Sequence, residues 1–295
     1  MQIVMEAGGS SQWVSRLIEE SGHILIVCPP RQIRMIAEST LKSDEIDAEI
    51  LARLGRIDIG FLGRVTHRSE EAQLLQANLS ARSALVRSRT KWVNTVRGIL
   101  RGFGYKVPGG ATATFHQRCA NTDIPEPLME TIQPLLTQLE LVSEEIERIE
   151  EKLNAIACDL PEVGHLRCVP GVGLLTALYF VLSIDDPERF RRSRDVPAFF
   201  GLRPAVRGSG DVKHYGKITK QGDPEMRRLL VQAAHAMMNS KQDCHLKQWA
   251  AKVEARRGKG KATVALARKI AALMHRLWIT GEVYRPFPSN AEKAA

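Results

Sequence analysis

Gly208-Ser209-Gly210 sets one hydroxyl between two glycines, and Lys213, His214, Lys217, Lys220, Arg227 and Arg228 follow close behind it. A serine that attacks a phosphodiester needs cationic donors to neutralise charge on the phosphoryl oxygens. It also needs an exposed main chain, which the glycines supply. Gly-Ser-Gly alone is equally the composition of a plain flexible loop, so the cations carry the argument. Upstream, Pro170-Gly171-Val172-Gly173 joins two apolar segments. Glycine permits close backbone approach, and a helix starting after Gly173 offers free N–H groups to a phosphate. The same four residues also make an ordinary turn between helices. Two further basic runs, Arg191-Arg192 with Arg194 and Arg256-Arg257 with Lys259 and Lys261, complete a footprint for phosphates. Binding through it should weaken steeply with salt.

A different chemistry is available near the N-terminus. Glu6 closes the apolar run Gln2-Ile3-Val4-Met5, and Asp44 and Asp47 stand three residues apart. That spacing puts both aspartates on one helix face. Carboxylates so placed repel unless a cation joins them. Mg²⁺ takes oxygen ligands and serves in-line phosphodiester chemistry. The alternative for the aspartate pair is an acidic first turn set against the helix dipole.

The elements that must hold these groups differ along the chain. Residues 2–5 and 23–28 read as strands around a helix from Ser11 to Glu20, with Trp13, Val14, Leu17 and Ile18 on its apolar face. This is a β-α-β unit, so the N-terminal part is α/β, with Glu6 at a strand's carboxyl end, where open α/β sheets place their active groups. Ser43 caps a helix carrying Asp44 and Asp47. The spacing then predicts two long helices, from about Glu70 to Phe103 and from about Pro127 to Ala157, around an irregular segment. The first is rich in Arg and Lys, the second in Glu, as in an antiparallel coiled coil. Their opposite charges pair with each other, or the basic face meets nucleic acid. The remainder reads as mainly helical, with few strand signals and a disordered tail from Pro286. The division is 1–66, 67–160, 161–285 and 286–295.

Bulk properties narrow the class. A chain of 295 residues is long enough for two domains with separate cores. Its net charge of +9 favours a polyanionic partner. There is no signal peptide and no apolar run of membrane-spanning length, so no membrane partner is expected. The five cysteines are scattered and form no CxxC pair, which fits reduced thiols in a cytoplasm rather than a zinc site or disulfide framework.

PGVG, FFGLRP, an SG dipeptide and ITKQGDPEMRRLLV, in that order, resemble the insertion-sequence transposases and pilin-gene-inverting recombinases. These pair a DEDD-type RuvC-like domain with a serine-bearing second domain. The resemblance covers nearly the whole chain. It implies a partial RuvC/RNase H-like first domain, a coiled-coil insert for dimer assembly and contact with a guide (bridge) RNA, and a second domain with a helix-hairpin-helix-like motif. By the resemblance Ser209 matches the catalytic serine, a choice over Ser193 and Thr219 that rests on the SG dipeptide. Glu6, Asp44 and Asp47 match three of four metal-binding carboxylates, and the family's first aspartate has no counterpart here. The expectations are a shortened or misassigned start, weak Mg²⁺ binding by calorimetry and a loosely packed N-terminal half. A tight, cooperative site there would refute them.

The function that follows is a DNA transposase or recombinase, RNA-guided by resemblance and acting as a dimer or tetramer. It would work in a bacterial cytoplasm in association with the nucleoid. Phosphates would meet Gly171, Gly173, Arg192, Arg194, Lys213, Lys217, Lys220, Arg227, Arg228, Arg257, Lys259 and Lys261. The alternative is an inactive copy that only binds nucleic acid. A third reading is a junction nuclease using carboxylates and metal alone.

Overall fold

The computed structural model describes residues 1–29, 44–57, 59–207 and 214–287. It divides into two compact units, Met1–Glu70 and Glu71–Ala295. In the first, β1 (Gln2–Glu6) and β2 (Ile24–Cys28) pair in parallel, from Gln2 opposite Ile24 to Glu6 opposite Cys28. The Cys28 carbonyl accepts from Ala7 N on one side, and the Val27 carbonyl accepts from Val65 N at 2.8 Å. β2 is therefore flanked on both edges, and its residues from Leu25 to Cys28 are buried. The helix α2 (Asp44–Ile57) packs on β1. Gly55 allows this: a Cβ there would stand 2.5 Å from Val4 Cγ2. Among the described residues the core of this unit is Ile26, Cys28, Leu51 and Leu62, with Val4, Ile50 and Leu54 against it.

The helix between the strands, α1 (Ser11–Glu20), does not turn its apolar stripe inward as expected. Trp13 and Leu17 are 57% and 54% exposed, while Ser11 and Ser15 are buried. The small serines let the helix sit close to β2, and both hydroxyls are satisfied locally, Ser11 Oγ donating to Gly8 O and Ser15 Oγ to Ser11 O.

The second unit begins with two long helices, α3 (Glu70–Gly102) and α5 (Glu126–Cys158). They run antiparallel. Val93, Val96 and Leu100 late in α3 share a core with Ile132, Leu136 and Leu139 early in α5. Arg82 in the first half of α3 pairs with Glu150 toward the end of α5. The segment between them, expected to be irregular, contains α4 (Phe115–Ala120). Phe115 and Cys119 are wholly buried there and complete that core.

The rest packs around α7 (Leu174–Ile184), which follows α6 (Pro161–Leu166) across the glycine turn. Every residue of α7 from Thr176 to Ile184 is buried, as an apolar helix enclosed on all sides must be. It is surrounded by α8 (Val196–Phe199), α9 (Pro224–Asn239), α10 (His245–Arg257) and α11 (Lys259–Thr280). Gly281 ends α11 at φ +68. The chain then folds back: Pro286 O accepts from His245 N at 2.9 Å, so the tail is docked at least through Pro286. Between α8 and α9 stands a hairpin not expected from the sequence, β3 (Pro204–Arg207) with β4 (His214–Ile218). No helix among the described residues is long and apolar enough to cross a membrane.

Candidate nucleic-acid interface and reaction site

The hairpin is antiparallel, with Pro204 opposite Ile218, Val206 opposite Tyr215 and Arg207 opposite His214. Ser209 and Lys213 belong to the connection 208–213, outside the described residues. What the structure defines is the base of the hairpin. Two loops interlock at the hairpin's base. Gly201 sits at φ +69, and a Cβ there would lie 1.8 Å from Gln221 O. Gly222 sits at φ +84, where a Cβ would lie 2.0 Å from Phe199 O. Thr219 N donates to Arg203 O and Lys220 N to Gly201 O. Arg227, in the first turn of α9, ties the two loops together. Its Nη1 donates to Phe200 O and Gln221 O at 3.1 Å and to Gly222 O at 2.9 Å.

Asp223 starts α9 by accepting from Glu225 N at 2.8 Å and Met226 N at 3.2 Å, the usual work of an N-cap aspartate. Its other oxygen accepts from Tyr179 Oη at 2.8 Å and from Gln76 of α3 at 3.5 Å. Burial, with the Asp223 charge adding to it, pushes the Tyr179 hydroxyl well above its ordinary pKa. Tyr179 therefore stays protonated and donates. Glu225 accepts from Ser83 Oγ at 2.9 Å and from Arg228 Nε at 3.0 Å. The Arg228 hydrogen bond holds its carboxyl below the ordinary range. Hence Arg227 and Arg228, both expected to contact phosphate, are engaged in holding the hairpin and docking α3.

The two glycines of the turn separate in role. Gly171 has φ +83, and a Cβ there would meet Ala233 O at 2.3 Å. Its missing side chain serves contact with α9. Gly173 is exposed, has no neighbour within 4 Å of its Cβ position and opens α7. Arg192, Arg194, Lys217, Lys220, Arg257, Lys259 and Lys261 are all exposed. The last three mark the sharp reversal from α10 to α11 at Gly258, φ +81.

Ser193, one of the two other hydroxyls considered beside Ser209, has a defined partner. Its Oγ is 2.9 Å from His275 Nδ1, and His275 Nε2 is 2.9 Å from Pro187 O. A carbonyl only accepts, so Nε2 carries the hydrogen and Nδ1 accepts from the serine. The imidazole is fully buried, and burial pushes its pKa below the ordinary value. Below a pH of about 6.5 the unfolded chain takes up a proton that the folded ring refuses, so stability falls on acidification through that range. Thermal melts between neutral and mildly acidic pH should show the second unit losing stability before its carboxylates titrate, and His275→Gln should flatten the slope.

Of the carboxylates, Glu6 stands at the end of β1, exposed, and Asp47 lies on α2. Asp47 Oδ1 is buried with no hydrogen-bond partner, an arrangement that costs free energy unless something cationic completes it. The Asp44 side chain lies outside the described part. Among the described residues no group of three or more His, Cys, Asp or Glu side chains is close enough to hold a metal. The residues present thus fit a divalent cation in part, through the orphaned Asp47 oxygen.

Two family descriptions match the chain. One, "Transposase IS116/IS110/IS902 family", covers residues 164–250 and so spans the glycine turn, the hairpin and α9. The other, the DEDD transposase domain of the IS110 type, covers residues 1–104. The chain is 32% identical to the transposase for insertion sequence element IS1111A of Coxiella burnetii, over 96% of this chain and 79% of that one. It is 30% identical to a probable family 20 transposase of Pseudomonas aeruginosa, over 96% and 86%. It is also 30% identical to the transposase for element IS1328 of Yersinia enterocolitica, over 96% and 85%. The chain belongs to the IS116/IS110/IS902 family of transposases. It is therefore an enzyme of the DNA transposase class, and the DEDD domain implies use of a divalent metal.

Two features of this transposase's site escaped the sequence reading. The interlock of Gly201 with Gly222 joins positions far apart in sequence, and no local pattern announces it. The Ser193–His275 pair is likewise long-range. The Asp223 cap was legible, since Asp-Pro before an apolar-periodic run is a helix-start signal.

Proposed function

We propose that this transposase cuts and rejoins DNA strands with Ser209 as nucleophile. The observation that supports this best is the clamped base of the β3–β4 hairpin. A rigid platform of two interlocked loops and Arg227 is spent on six connecting residues whose sequence is Gly-Ser-Gly-Asp-Val-Lys. Holding a reacting group in place is worth several powers of ten in rate. Ser209 Oγ attacks the phosphorus, the bond to the leaving oxygen breaks, and the strand stays on the serine as a phosphate ester until another hydroxyl displaces it. Lys217, on β4, and Lys213 neutralise the phosphoryl oxygens. Arg192, Arg194, Lys220, Arg257, Lys259 and Lys261, with the α7 N-terminus at Gly173, hold flanking phosphates in the manner of a helix-hairpin-helix. Glu6, Asp44 and Asp47 would hold Mg²⁺, which stabilises charge on the reacting phosphate when bound. The first unit in this reading is RuvC-like. A guide RNA, a dimer or tetramer joined through a coiled coil of α3 and α5, and a place at the nucleoid complete it.

Ser209→Ala tests the reading. Strand exchange and the covalent serine–DNA species should both vanish, with DNA affinity unchanged within about threefold, as expected for the loss of a group that acts in the reaction rather than in binding. Cleavage that survives the substitution would instead support a nuclease working through carboxylates and metal alone. Wild-type chain that binds DNA yet never exchanges strands would support the non-catalytic reading, which the lack of a counterpart to the family's first aspartate favours.

A further inference from the structure

One concavity of the second unit is lined by none of the described hairpin residues. It has a volume of about 590 Å³ and is enclosed by one face of α11, the start of α10, the Ser193–Arg194 turn and the returning segment after Gly281. That volume lies inside the range of about 300–1,000 Å³ usual for small-molecule sites. Lys269, Ala272, Leu273, Arg276 and Leu277 recur at the three- and four-residue steps of a single helix face. Ordinarily such a stripe would be covered by packing. Here Ala272, Leu273 and Arg276 are only half-buried, and Leu246, Val283 and Tyr284 line the same cavity.

The rim has the opposite character. Arg194, Lys269, Arg276 and Arg285 line it against the single carboxylate Glu282. The Arg276–Glu282 pair at 3.0 Å fixes the returning segment, and Lys269 stands 4.6 Å over the Trp249 ring. Ser193 also borders the cavity. Because its proton goes to His275, its oxygen remains an acceptor for a ligand N–H. An apolar slot, a fixed acceptor at its edge and an excess of arginine and lysine around its mouth match one chemical class: a flat aromatic base carrying a phosphate.

We propose that this cavity binds a single unstacked nucleotide, with its base against Leu273 and Leu277, an exocyclic N–H on Ser193 Oγ, and its phosphate at Arg194 and Arg285. The nucleotide is one turned out of a bound single strand. A free mononucleotide has the same chemistry and is separated from it by the test. The inference rests on the reading of the chain as a nucleic-acid enzyme only for the source of the nucleotide.

The test uses the full chain. AMP, UMP and inorganic phosphate are titrated by calorimetry, and a short single-stranded oligonucleotide and a duplex of equal length by fluorescence anisotropy. The variants are Leu273→Trp, which fills the slot, and Arg194→Ala, an exposed position that leaves the core untouched. The expected result is mononucleotide affinity at least tenfold above that of inorganic phosphate, lost in Leu273→Trp and weakened severalfold in Arg194→Ala. Single-strand affinity should fall in parallel, while duplex affinity holds in Leu273→Trp. Mononucleotide binding lost in both variants with single-strand affinity unchanged would assign the site to a free nucleotide and overturn the strand as source. Mononucleotides binding no better than phosphate, or equally in Arg194→Ala, would overturn the site itself. Ser209-dependent strand exchange is a separate readout, so its failure and the failure of this site are distinguishable.

Discussion

Arg227→Ala should lower strand exchange by about 100-fold, the cost of a catalytic group misplaced by an ångström, with DNA affinity at low salt almost unchanged. Arg227 Nη1 is shared by the carbonyls of Phe200, Gln221 and Gly222. Two of these bonds lie at exposed positions, where water can replace the lost donor, so the stability cost should sit near the low end of about 1–3 kcal/mol. Water does not replace the constraint. Without the guanidinium the loop that leaves α8 and the loop that enters α9 keep the Thr219–Arg203 and Lys220–Gly201 bonds but lose their side-chain tie, and β3 and β4 spring from those two loops. Lysine should not rescue the loss, because an ammonium is a compact donor without a planar fork. The rival role is a phosphate contact. In that case Arg227→Ala would weaken DNA binding, reduce the salt slope by about one, and leave exchange intact at saturating DNA. The two readouts separate a residue that positions the hairpin from one that holds the strand.

The elements set by local periodicity were legible in the sequence. The long helices α3 and α5, the β-α-β start, the helix from Pro224 and the glycine reversal near Gly258 all follow from apolar spacing and helix-end residues. Elements defined by distant partners were not. The β3–β4 hairpin has no alternating apolar face, since His214 through Lys217 are exposed; its stability comes from the loops beneath it. The inward face of α1 was misread because the sequence argument weighs hydrophobicity, while Ser11 and Ser15 are buried for their small size. The nucleic-acid candidates show the same division. Composition finds every cation but cannot tell which are already engaged. Arg227 carries the same charge as Lys217 and Lys259, yet it is half-buried with three carbonyl partners within the fold, whereas the two lysines are exposed.

A glycine series makes that distinction measurable. Gly201→Ala and Gly222→Ala should each destabilise the second unit by more than about 3 kcal/mol, among the largest effects single substitutions produce. Each combines two costs. The φ values of +69 and +84 lie where an L side chain is strained, by about 1–2 kcal/mol. The added methyl would also lie 1.8 or 2.0 Å from a main-chain carbonyl, and no flexible side chain can move aside to admit it. For a unit of this size, 3 kcal/mol corresponds to a fall in Tm of very roughly 6–12 °C. Gly171→Ala should behave similarly, because its Cβ would stand 2.3 Å from Ala233 O. Gly173→Ala should not: its φ is −85, nothing lies within 4 Å, and the change should stay within about 0.5 kcal/mol. Gly171 and Gly173 belong to one turn and look equivalent in sequence, so their contrast is decisive for what that turn does. If Gly173→Ala keeps its Tm but loses DNA affinity, the open end of α7 is a phosphate contact and the turn is shared between packing and binding. If Gly173→Ala changes neither, Gly171 is the reason for the turn, and DNA binding on this unit belongs to the exposed cations alone.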